Sequence, residues 1–254
     1  MRNINYVLIT GATSGIGLSL AREYASHGRC LILVGRKNTK LNAVAYELKA
    51  KYKIKVLTIV KDLLDEDAAA YIYRYILDNK LSVETLINNA GIGYSGEFIN
   101  QSPQNIKDVL RVNIEQVTVL TRYLSRNMRK RHYGKILNIA STGAYHPGAY
   151  VAEYYATKAY ILSLSEALYE ELKPYNVQVS CLCPGATKTN FQKNSGREDT
   201  FIAMNPAFVA KEAYKGMMKG KKIIVPGVQN KLMIMIPKCI GIQLVKRYQA
   251  KTLI

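Results

Sequence analysis

Residues 6–17 read Tyr-Val-Leu-Ile-Thr-Gly-Ala-Thr-Ser-Gly-Ile-Gly, an apolar run that passes directly into a loop with glycines at 11, 15 and 17. The run has the length of a strand, and the segment after the loop has a helical pattern. Glycine permits a tight turn and lets backbone N–H groups approach a pyrophosphate, and the positive end of a helix favours that anion. The stretch therefore predicts a dinucleotide-binding strand–loop–helix unit.

Further short apolar runs alternate with longer segments of helical pattern. Because the runs are almost continuously apolar, they are typical of strands that are buried on both faces of a parallel sheet. The alternation predicts right-handed βαβ units and hence an α/β fold, a doubly wound parallel sheet of about seven strands with helices on both faces. The predicted strands are residues 6–10, 30–34, 55–60, 85–87, 135–140, 178–183 and 222–225, and the predicted helices are residues 16–27, 40–51, 65–78, 104–131 and 153–173. Ligands bind such a sheet beyond the carboxyl ends of its strands.

Length and composition limit the class of protein. A chain of 254 residues, 48% of them hydrophobic, fits one soluble α/β domain over residues 1–254. The first apolar run is too short for a secretory signal, and no run reaches the roughly 18 apolar residues of a membrane span. The four cysteines show neither a disulfide framework nor metal-ligand spacing, so we expect reduced thiols, no metal and a cytoplasmic location. Cys181 and Cys183 are two apart in a predicted strand and should share one face.

The net charge is +18, and it is distributed unevenly. Residues 213–254 contain nine Lys and Arg and no Asp or Glu, together with Met217, Met218, Met233 and Met235. This basic segment could lie on an anionic membrane surface as an amphipathic element, which would make the protein peripheral to the membrane. It could equally pack over the active site or against a subunit partner, and the sequence leaves these alternatives open.

The end of the second predicted strand indicates which dinucleotide binds. An acidic residue at this point would hold the ribose 2′-hydroxyl of NAD, whereas a basic residue suits the 2′-phosphate of NADP. Val34 and Gly35 are followed by Arg36 and Lys37, with no acid. An arginine can bind phosphate through two parallel hydrogen bonds, so NADP is the predicted cofactor, although surface cations are common in so basic a chain.

A tyrosine and a lysine at helical spacing are the candidate catalytic pair. Tyr154 and Lys158 are i and i+4 and share a helix face, but Tyr155 at i+3 is almost as close, so spacing favours Tyr154 only slightly. With 19 tyrosines in the chain, this spacing also arises by chance. The combination carries more weight, because Ser141 closes the fifth predicted strand and Asn113 lies in the long predicted helix before it.

Taken in order, the motifs resemble those of the short-chain dehydrogenase/reductase family over about residues 4–190. They are Thr10-Gly11-x-x-x-Gly15-x-Gly17, Asn88-Asn89-Ala90-Gly91, Asn113, Ser141, Tyr154-x-x-x-Lys158 and Pro184-Gly185. The chain looks most like NADP-preferring carbonyl reductases of the bacterial type. The resemblance implies a Rossmann-like fold, a homodimer or homotetramer, and Tyr154 rather than Tyr155 as the catalytic tyrosine.

The family pattern also implies roles for individual residues. The implied catalytic residues are Asn113, Ser141, Tyr154 and Lys158, with Asn113 breaking the helix and holding a water for proton relay. The implied cofactor contacts are Gly11, Thr13, Ser14, Gly15, Ile16, Gly17, Arg36, Lys37, Asp62, Asn89, Ala90, Gly91, Tyr154, Lys158, Pro184, Gly185, Thr187 and Thr189, and the implied substrate contacts are Ser141, Gly143, Tyr145 and Tyr154. One position departs from the pattern: Ser14 stands where many NADP-preferring members carry a base, so NAD remains possible as a cofactor.

These residues predict an NAD(P)H-dependent oxidoreductase that interconverts a carbonyl and a secondary alcohol by hydride transfer. Tyr154 would act as general acid/base, with its pKa lowered by the Lys158 ammonium, and Ser141 would hold the substrate oxygen. Two alternatives use the same fold. One is a catalytically silent NADP-binding sensor, which a broken catalytic set would favour. The other is a basic nucleic-acid-binding protein, which the charge favours but for which the chain has no reader motif.

The substrate side is less determined. Tyr94, His146 and Tyr150 lie near the expected pocket, although a lone loop histidine before proline is more often a loop residue than a catalytic acid. Residues 187–212 mix Gly, Lys, Asn and Phe and form a candidate substrate lid, but an ordinary surface loop would have the same composition. Residues 213–254 would form a basic, Met-containing C-terminal extension of the same domain.

Overall fold

The computed structural model describes residues 4–191, 195 and 203–252, and within them seven parallel strands form one sheet in the order β3-β2-β1-β4-β5-β6-β7. The strands are β1 (Asn5–Thr10), β2 (Cys30–Gly35), β3 (Val56–Val60), β4 (Ser82–Asn88), β5 (Gly134–Ile139), β6 (Val177–Leu182) and β7 (Ile223–Ile224). The chain winds outward from β1 to β3 and then returns to place β4 on the other side of β1. The predicted doubly wound parallel sheet is confirmed, and the switch between β1 and β4 is where such sheets bind ligands.

The helices lie between and after the strands. They are α1 (Gly15–Ser26), α2 (Asn38–Tyr52), α3 (Ala68–Asp78), α4 (Pro103–Leu110), α5 (Gln116–Lys130), α6 (Ala152–Leu172), α7 (Pro206–Met218), α8 (Val228–Ile234) and α9 (Lys238–Thr252). The predicted helical segment over residues 104–131 is divided, because a π-helical turn at Arg111–Glu115 separates α4 from α5. This turn contains Asn113, the residue at which the family resemblance implied a break in the helix. The helices after residue 200 were not predicted.

Both faces of the sheet are buried. Along β1, Val7 and Ile9 pack into the apolar cluster that contains Leu20 of α1, whereas Leu8 packs into the cluster that contains Ile72 of α3. Residues 7–9 of this strand are fully buried, because side chains alternate between two covered faces. This double burial explains why the strands are continuously apolar in sequence.

Two thiols at the end of β6 confirm the prediction that Cys181 and Cys183 share one face. Cys181 and Cys183 are buried and reduced on one face of the strand, with their Sγ atoms 3.9 Å apart. Cys30 is half-buried, and Cys239 is exposed on α9.

The basic C-terminal segment is continuous with the sheet. Ile223 of β7 pairs with Cys181 of β6, and α8 and α9 follow directly. Of the helices in the part of the chain that the structure describes, not one combines the length and the apolar character that a membrane crossing requires.

Candidate active site

A cavity of about 1080 Å³ opens at the carboxyl ends of the central strands, and its wall includes parts of α8 and α9. The predicted site residues that line it are Gly11, Thr13, Ser14, Gly15, Ile16, Arg36, Asp62, Asn89, Ala90, Gly91, Ser141, Tyr154, Lys158, Pro184, Gly185, Thr187 and Thr189. The predicted site residues that lie outside its wall are Gly17, Lys37, Asn113, Gly143 and Tyr145. The fold therefore gathers most of the predicted glycine, asparagine, serine, tyrosine and lysine positions around one space.

The loop between β1 and α1 is shaped by glycine. Gly11 and Gly15 have φ values of 65° and 54°, in the left-handed region that glycine tolerates best. A β-carbon on Gly15 would lie 2.9 Å from Thr189 Cγ2. Gly17 has a packing role instead, since a β-carbon there would overlap Gly11 O and Asn89 Nδ2.

The start of α1 fits an anionic group. Ser14 is the N-cap residue and makes no side-chain capping bond, and the first turn of the helix contains no acidic residue. The first N–H groups of a helix have no partner within the helix, and the helix dipole favours an anion beside them. Because Gly15 and Ile16 line the cavity, the loop offers these N–H groups to a ligand. These features fit the pyrophosphate of a dinucleotide.

Asn89 fixes the end of β4 to this loop. Its backbone N–H donates to Thr10 Oγ1 at 3.0 Å, and its side-chain Nδ2 donates to the carbonyls of Thr10 at 2.9 Å and Gly11 at 3.1 Å. Asn89 therefore positions the glycine loop and also contributes to the cavity wall.

Three predicted cofactor residues lie near the ends of β2 and β3. Arg36 is exposed and lines the cavity, whereas Lys37 is exposed, caps α2 and lies outside the wall. Asp62 lines the cavity and accepts a hydrogen bond from the backbone of Leu64 at 3.1 Å. Arg36 is therefore the better placed of the two predicted phosphate-binding cations.

A second cation in this part of the wall is already paired. Lys61 lies 3.0 Å from an Asp65 carboxylate oxygen and 2.8 Å from one of Asp67. The ion pairs found among the described residues do not include Arg36. The Arg36 guanidinium can therefore bind an anionic ligand without first breaking an ion pair.

Asn113 lies in the π-helical turn, buried behind the cavity wall. Its Oδ1 accepts from the Ile92 backbone at 2.9 Å, and its Nδ2 donates to the Ile92 carbonyl at 2.8 Å and to Thr157 Oγ1 at 3.1 Å. A β-carbon on Gly91 would lie 3.3 Å from Asn113 Oδ1 and 3.5 Å from Lys158 Nζ. Asn113 therefore joins the turn after β4 to helix α6, next to the buried lysine.

Lys158 is buried, and its Nζ donates to the Ile139 carbonyl at 2.9 Å. The same Nζ lies 5.6 Å from the centre of the Tyr154 ring. Burial lowers the pKa of Lys158 to about 8, because removal from water disfavours the ammonium form. A lysine that is close to losing its proton thus lies against the candidate catalytic tyrosine.

The two adjacent tyrosines, which helical spacing could not distinguish, have different contacts in the structure. The ring of Tyr154 packs 5.2 Å from that of Phe191 and beside Gly93. The ring of Tyr155 packs against Gly143, and its hydroxyl accepts a hydrogen bond from Gln249 of α9 at 3.2 Å. Both rings line the cavity, and the Lys158 ammonium lies over the ring of Tyr154.

Ser141 follows β5 and lines the cavity near these residues. It caps a short helical turn, and its Oγ accepts a hydrogen bond from the Gly143 backbone at 3.0 Å. A hydroxyl that accepts one hydrogen bond still has its own proton to donate. Ser141 can therefore donate to an oxygen atom in the cavity.

The two remaining predicted substrate contacts face elsewhere. Tyr145 packs with Cys181 and Cys183 in a buried cluster, and burial raises the pKa of its hydroxyl. Gly143 supports the Tyr155 ring. Neither residue belongs to the cavity wall, so a substrate contact by either one stays a prediction that the geometry does not favour.

Several cavity residues were not singled out as site residues from the sequence. Tyr94 and His146 were noted near the pocket and do line it, whereas Tyr150 does not. The C-terminal helices contribute a mainly apolar part of the wall, formed by Val228, Gln229, Asn230, Met233, Ile236, Gly241, Leu244, Val245, Tyr248 and Gln249. Apolar residues at helical spacing could have indicated these two amphipathic helices, α8 and α9. Of the three placements predicted for the basic C-terminal segment, the structure shows that it packs over the active site.

His146 attaches α8 to the loop after β5. Its Nε2 lies 3.2 Å from the Met233 carbonyl, so Nε2 carries the proton and donates. Its Nδ1 is buried without a hydrogen-bond partner among the described residues, and Gly241 of α9 packs directly on the ring. In this arrangement His146 holds the C-terminal helices in place.

The predicted lid at residues 187–212 is described only in part. Thr187, Thr189 and Phe191 line the cavity, and Thr187 forms an isolated bridge with Met204. Residues 192–194 and 196–202 lie outside the described residues, so the lid stays a prediction.

Residues 5–200 match the model of the short chain dehydrogenase family, and the chain therefore belongs to that family. It is 32% identical over 183 residues to the 3-oxoacyl-(acyl-carrier-protein) reductase of Aquifex aeolicus (strain VF5), an alignment that covers 72% of this chain and 74% of that protein. It is 32% identical over 214 residues to the very-long-chain 3-oxoacyl-CoA reductase of Bos taurus, covering 83% of this chain and 67% of that protein.

The fold is also similar to solved structures. A short-chain dehydrogenase from Sphingobium yanoikuyae in complex with NADPH superposes with a TM-score of 0.85 at 28% identity, covering 92% of this chain and 97% of that one. Family membership and the assembled cavity agree that this chain is an oxidoreductase that interconverts carbonyls and alcohols with a nicotinamide cofactor.

Proposed function

We propose that this chain is an NADPH-dependent reductase of ketones that carry an apolar group, with 3-oxoacyl thioesters as the first substrate class to test. The observation that carries the proposal is the Lys158 ammonium over the ring of Tyr154, at the wall of the cavity that also contains the glycine loop. Reduction, rather than oxidation, is the expected direction because NADPH usually drives reductions in cells.

The bound cofactor supplies the hydride. Tyr154 donates its hydroxyl proton to the substrate oxygen, on which negative charge develops. In this proposal the positive charge of the Lys158 ammonium stabilises the resulting phenolate. Ser141 donates a second hydrogen bond to the same oxygen.

The preference for NADPH rests on Arg36. Its guanidinium lines the cavity after β2, outside the ion pairs of the described residues, and no acid stands beside it to hold a free ribose hydroxyl. The similar structure from Sphingobium yanoikuyae contains NADPH. NADH remains a slower cofactor in this proposal, since Ser14 adds no second charge.

The apolar wall supports the substrate class. Met233, Leu244 and Val245 of the C-terminal helices, and Ile236 between those helices, line the cavity, where they can bury an acyl chain or another apolar group. Two curated relatives carry names of 3-oxoacyl reductases, one acting on a carrier-protein thioester and one on a coenzyme A thioester. The silent-sensor and nucleic-acid-binding alternatives gain no support from the relatives or from the intact set of catalytic residues.

Assembly and location are part of the proposal. We propose a homodimer or homotetramer, supported by small exposed residues on one face of α6 at Ala156, Ala159, Ser163 and Ala167. We also propose a cytoplasmic enzyme that makes peripheral contact with an anionic membrane through residues 213–254. The absence of disulfide spacing and the basic composition of that segment support this location.

The first experiment measures NADPH oxidation with 3-oxoacyl thioesters, ketones, aldehydes and steroid carbonyls. The wild type should turn over at least one class, and Tyr154→Phe should lower kcat by about a hundredfold to ten-thousandfold, the usual contribution of a general acid. NADPH binding should be retained in that variant because the ring remains.

Two matched controls sharpen the experiment. Tyr155→Phe removes a neighbouring hydroxyl and should keep most of the activity. Arg36→Gln should raise KM for NADPH about tenfold or more and leave KM for NADH unchanged, whereas Lys37→Gln should change neither. Equal loss of activity in both tyrosine variants would contradict the assignment of Tyr154, and tight NADPH binding without any turnover would favour the sensor alternative.

A further inference from the structure

We infer that α8 and α9 form a docking surface for an anionic lipid bilayer, placed around the mouth of the active-site cavity. Each helix has an outer apolar row that begins or continues at residues of the cavity wall. We call the two rows and three exposed cations of the same helices the C-terminal docking surface: Val228, Leu232, Met235, Ile240, Leu244, Tyr248, Lys231, Lys238 and Arg247.

The first row runs along α8. Val228, Leu232 and Met235 are spaced by four and three residues and therefore lie on one helix face. Their exposed fractions are 71%, 64% and 77%, which is high for three large apolar side chains in a row. Val228 also lines the cavity, so this row reaches the edge of the active site.

The second row runs along α9. Ile240, Leu244 and Tyr248 are spaced by four residues, and 53%, 47% and 41% of their surfaces are exposed. Leu244 and Tyr248 also line the cavity. Each of these two side chains therefore has one side toward the active site and another toward solvent.

Charge identifies the occupant of this surface. Lys231, Lys238 and Arg247 are exposed on the same two helices, and residues 213–254 contain no Asp or Glu. A second copy of the same surface would bring these cations together, whereas an anionic bilayer offers phosphates to the cations and acyl chains to the apolar rows. The surface is therefore complementary to anionic lipid and not to itself.

The position of the surface suggests what docking achieves. If the proposed function holds, an apolar ketone can pass from the bilayer into the cavity between Val228, Leu244 and Tyr248 without crossing water. Gln249 attaches α9 to α6 through its hydrogen bond to the Tyr155 hydroxyl. His146 attaches the loop after β5 to α8 through its hydrogen bond to the Met233 carbonyl. The docking surface is thus held in a fixed position relative to Tyr154.

The test is co-sedimentation of the full-length protein with phosphatidylcholine vesicles, with and without phosphatidylglycerol. Binding should require phosphatidylglycerol and weaken with added NaCl. The triple variant Lys231→Gln/Lys238→Gln/Arg247→Gln should bind about a hundredfold more weakly, at about fivefold for each cation. Leu232→Ser/Met235→Ser should weaken binding about tenfold.

The matched control is Lys49→Gln/Lys51→Gln/Lys53→Gln, which removes three exposed lysines at the end of α2 and changes the net charge equally. It should bind vesicles as the wild type does. Equal weakening in both triple variants, or no binding to phosphatidylglycerol vesicles, would overturn the inference. Self-association in analytical ultracentrifugation that Leu232→Ser/Met235→Ser abolishes, without vesicle binding, would assign the surface to a second copy. Vesicle binding needs neither cofactor nor turnover, so its failure is distinct from a failure of the proposed reductase activity.

Discussion

Lys158 is a charged group that the fold holds in an unfavourable environment. It is buried, its Nζ donates to one backbone carbonyl of β5, and its pKa falls to about 8 because burial disfavours the ammonium. Such a site is unfavourable for folding when the lysine is charged. In the proposed reaction it would be favourable, because an ammonium close to Tyr154 would stabilise the phenolate that remains after proton donation.

This trade-off predicts how stability depends on pH. Between the folded pKa of about 8 and the ordinary lysine pKa of 10.5, the unfolded chain holds a proton on Lys158 that the folded chain has lost. Stability contributed by this group therefore rises with pH across that window and is absent below it. We expect the free energy of unfolding of the wild type to gain about 3 kcal/mol over Lys158→Met across this range.

Urea unfolding at pH 8 and at pH 10.5 measures that difference. Lys49→Met, at an exposed position of α2, is the control and should follow the wild type at both pH values. An identical pH dependence in the wild type and in Lys158→Met would show that the lysine is not desolvated as described.

The choice between Tyr154 and Tyr155 shows where residue-scale prediction from sequence ends. Helical spacing places both within reach of Lys158, and the family resemblance, not geometry, selected Tyr154. The structure separates them through contacts with distant parts of the chain, Gly93 and Phe191 for Tyr154 and Gln249 for Tyr155. Spacing within one helix contains no information about such contacts.

At the scale of secondary structure, the π-helical turn at Arg111–Glu115 divides the predicted helical segment over residues 104–131 into α4 and α5. The segment contains neither Gly nor Pro, so its sequence indicates a continuous helix. The break coincides with the three hydrogen bonds that Asn113 makes to Ile92 and Thr157, outside its own helix. Both amide hydrogens of Asn113 are used in these bonds, so a relay water near the turn must bind an oxygen atom.

Asn113→Ala should therefore lower stability as well as activity. The substitution leaves the Ile92 backbone groups and Thr157 without this partner in a buried position. Unsatisfied buried groups cost about 1–3 kcal/mol each, so we expect a loss of about 3 kcal/mol in the free energy of urea unfolding.

The control is Asn127→Ala on α5, which removes a longer 3.4 Å hydrogen bond from Tyr73 of α3 and should cost less than about 1 kcal/mol. Equal losses in the two variants would mean that the bonds of Asn113 do not hold the π-helical turn.

The strands were predicted more completely than the last helices, and the reason is physical. Double burial makes each central strand continuously apolar, which is visible in sequence. By contrast, α8 is only seven residues long, and Pro237 separates it from α9. The helix pair obtains its position from His146, Gly241 and Gln249 contacts, which no local pattern specifies.

At the scale of the whole molecule, charge is the property that the sequence alone determines. Lys and Arg outnumber Asp and Glu by 36 to 18, while the described residues form only eight ion pairs. Most Lys and Arg side chains among the described residues thus have no carboxylate partner at short range. The folded chain confines these like charges more closely than the unfolded chain does, and their repulsion opposes folding.

Added salt should therefore raise Tm. The Debye length falls from about 30 Å at 0.01 M salt to about 3 Å at 1 M, which screens repulsion between distant surface cations. Each kcal/mol of repulsion relieved should raise Tm by roughly 2–4 °C for a chain of this size.

Differential scanning fluorimetry in NaCl measures the change in Tm. NaCl is preferable to phosphate or sulfate, because those anions could bind at the start of α1 and stabilise the folded state by binding. The variant Lys49→Gln/Lys51→Gln/Lys53→Gln, with its net charge reduced from +18 by three, should show a smaller rise of Tm with NaCl than the wild type. A Tm that falls with NaCl would contradict this prediction and would mean that attractive ion pairs such as Arg22–Glu47 outweigh the repulsion. The fold would then hold the excess cations so far apart that their repulsion does not lower stability.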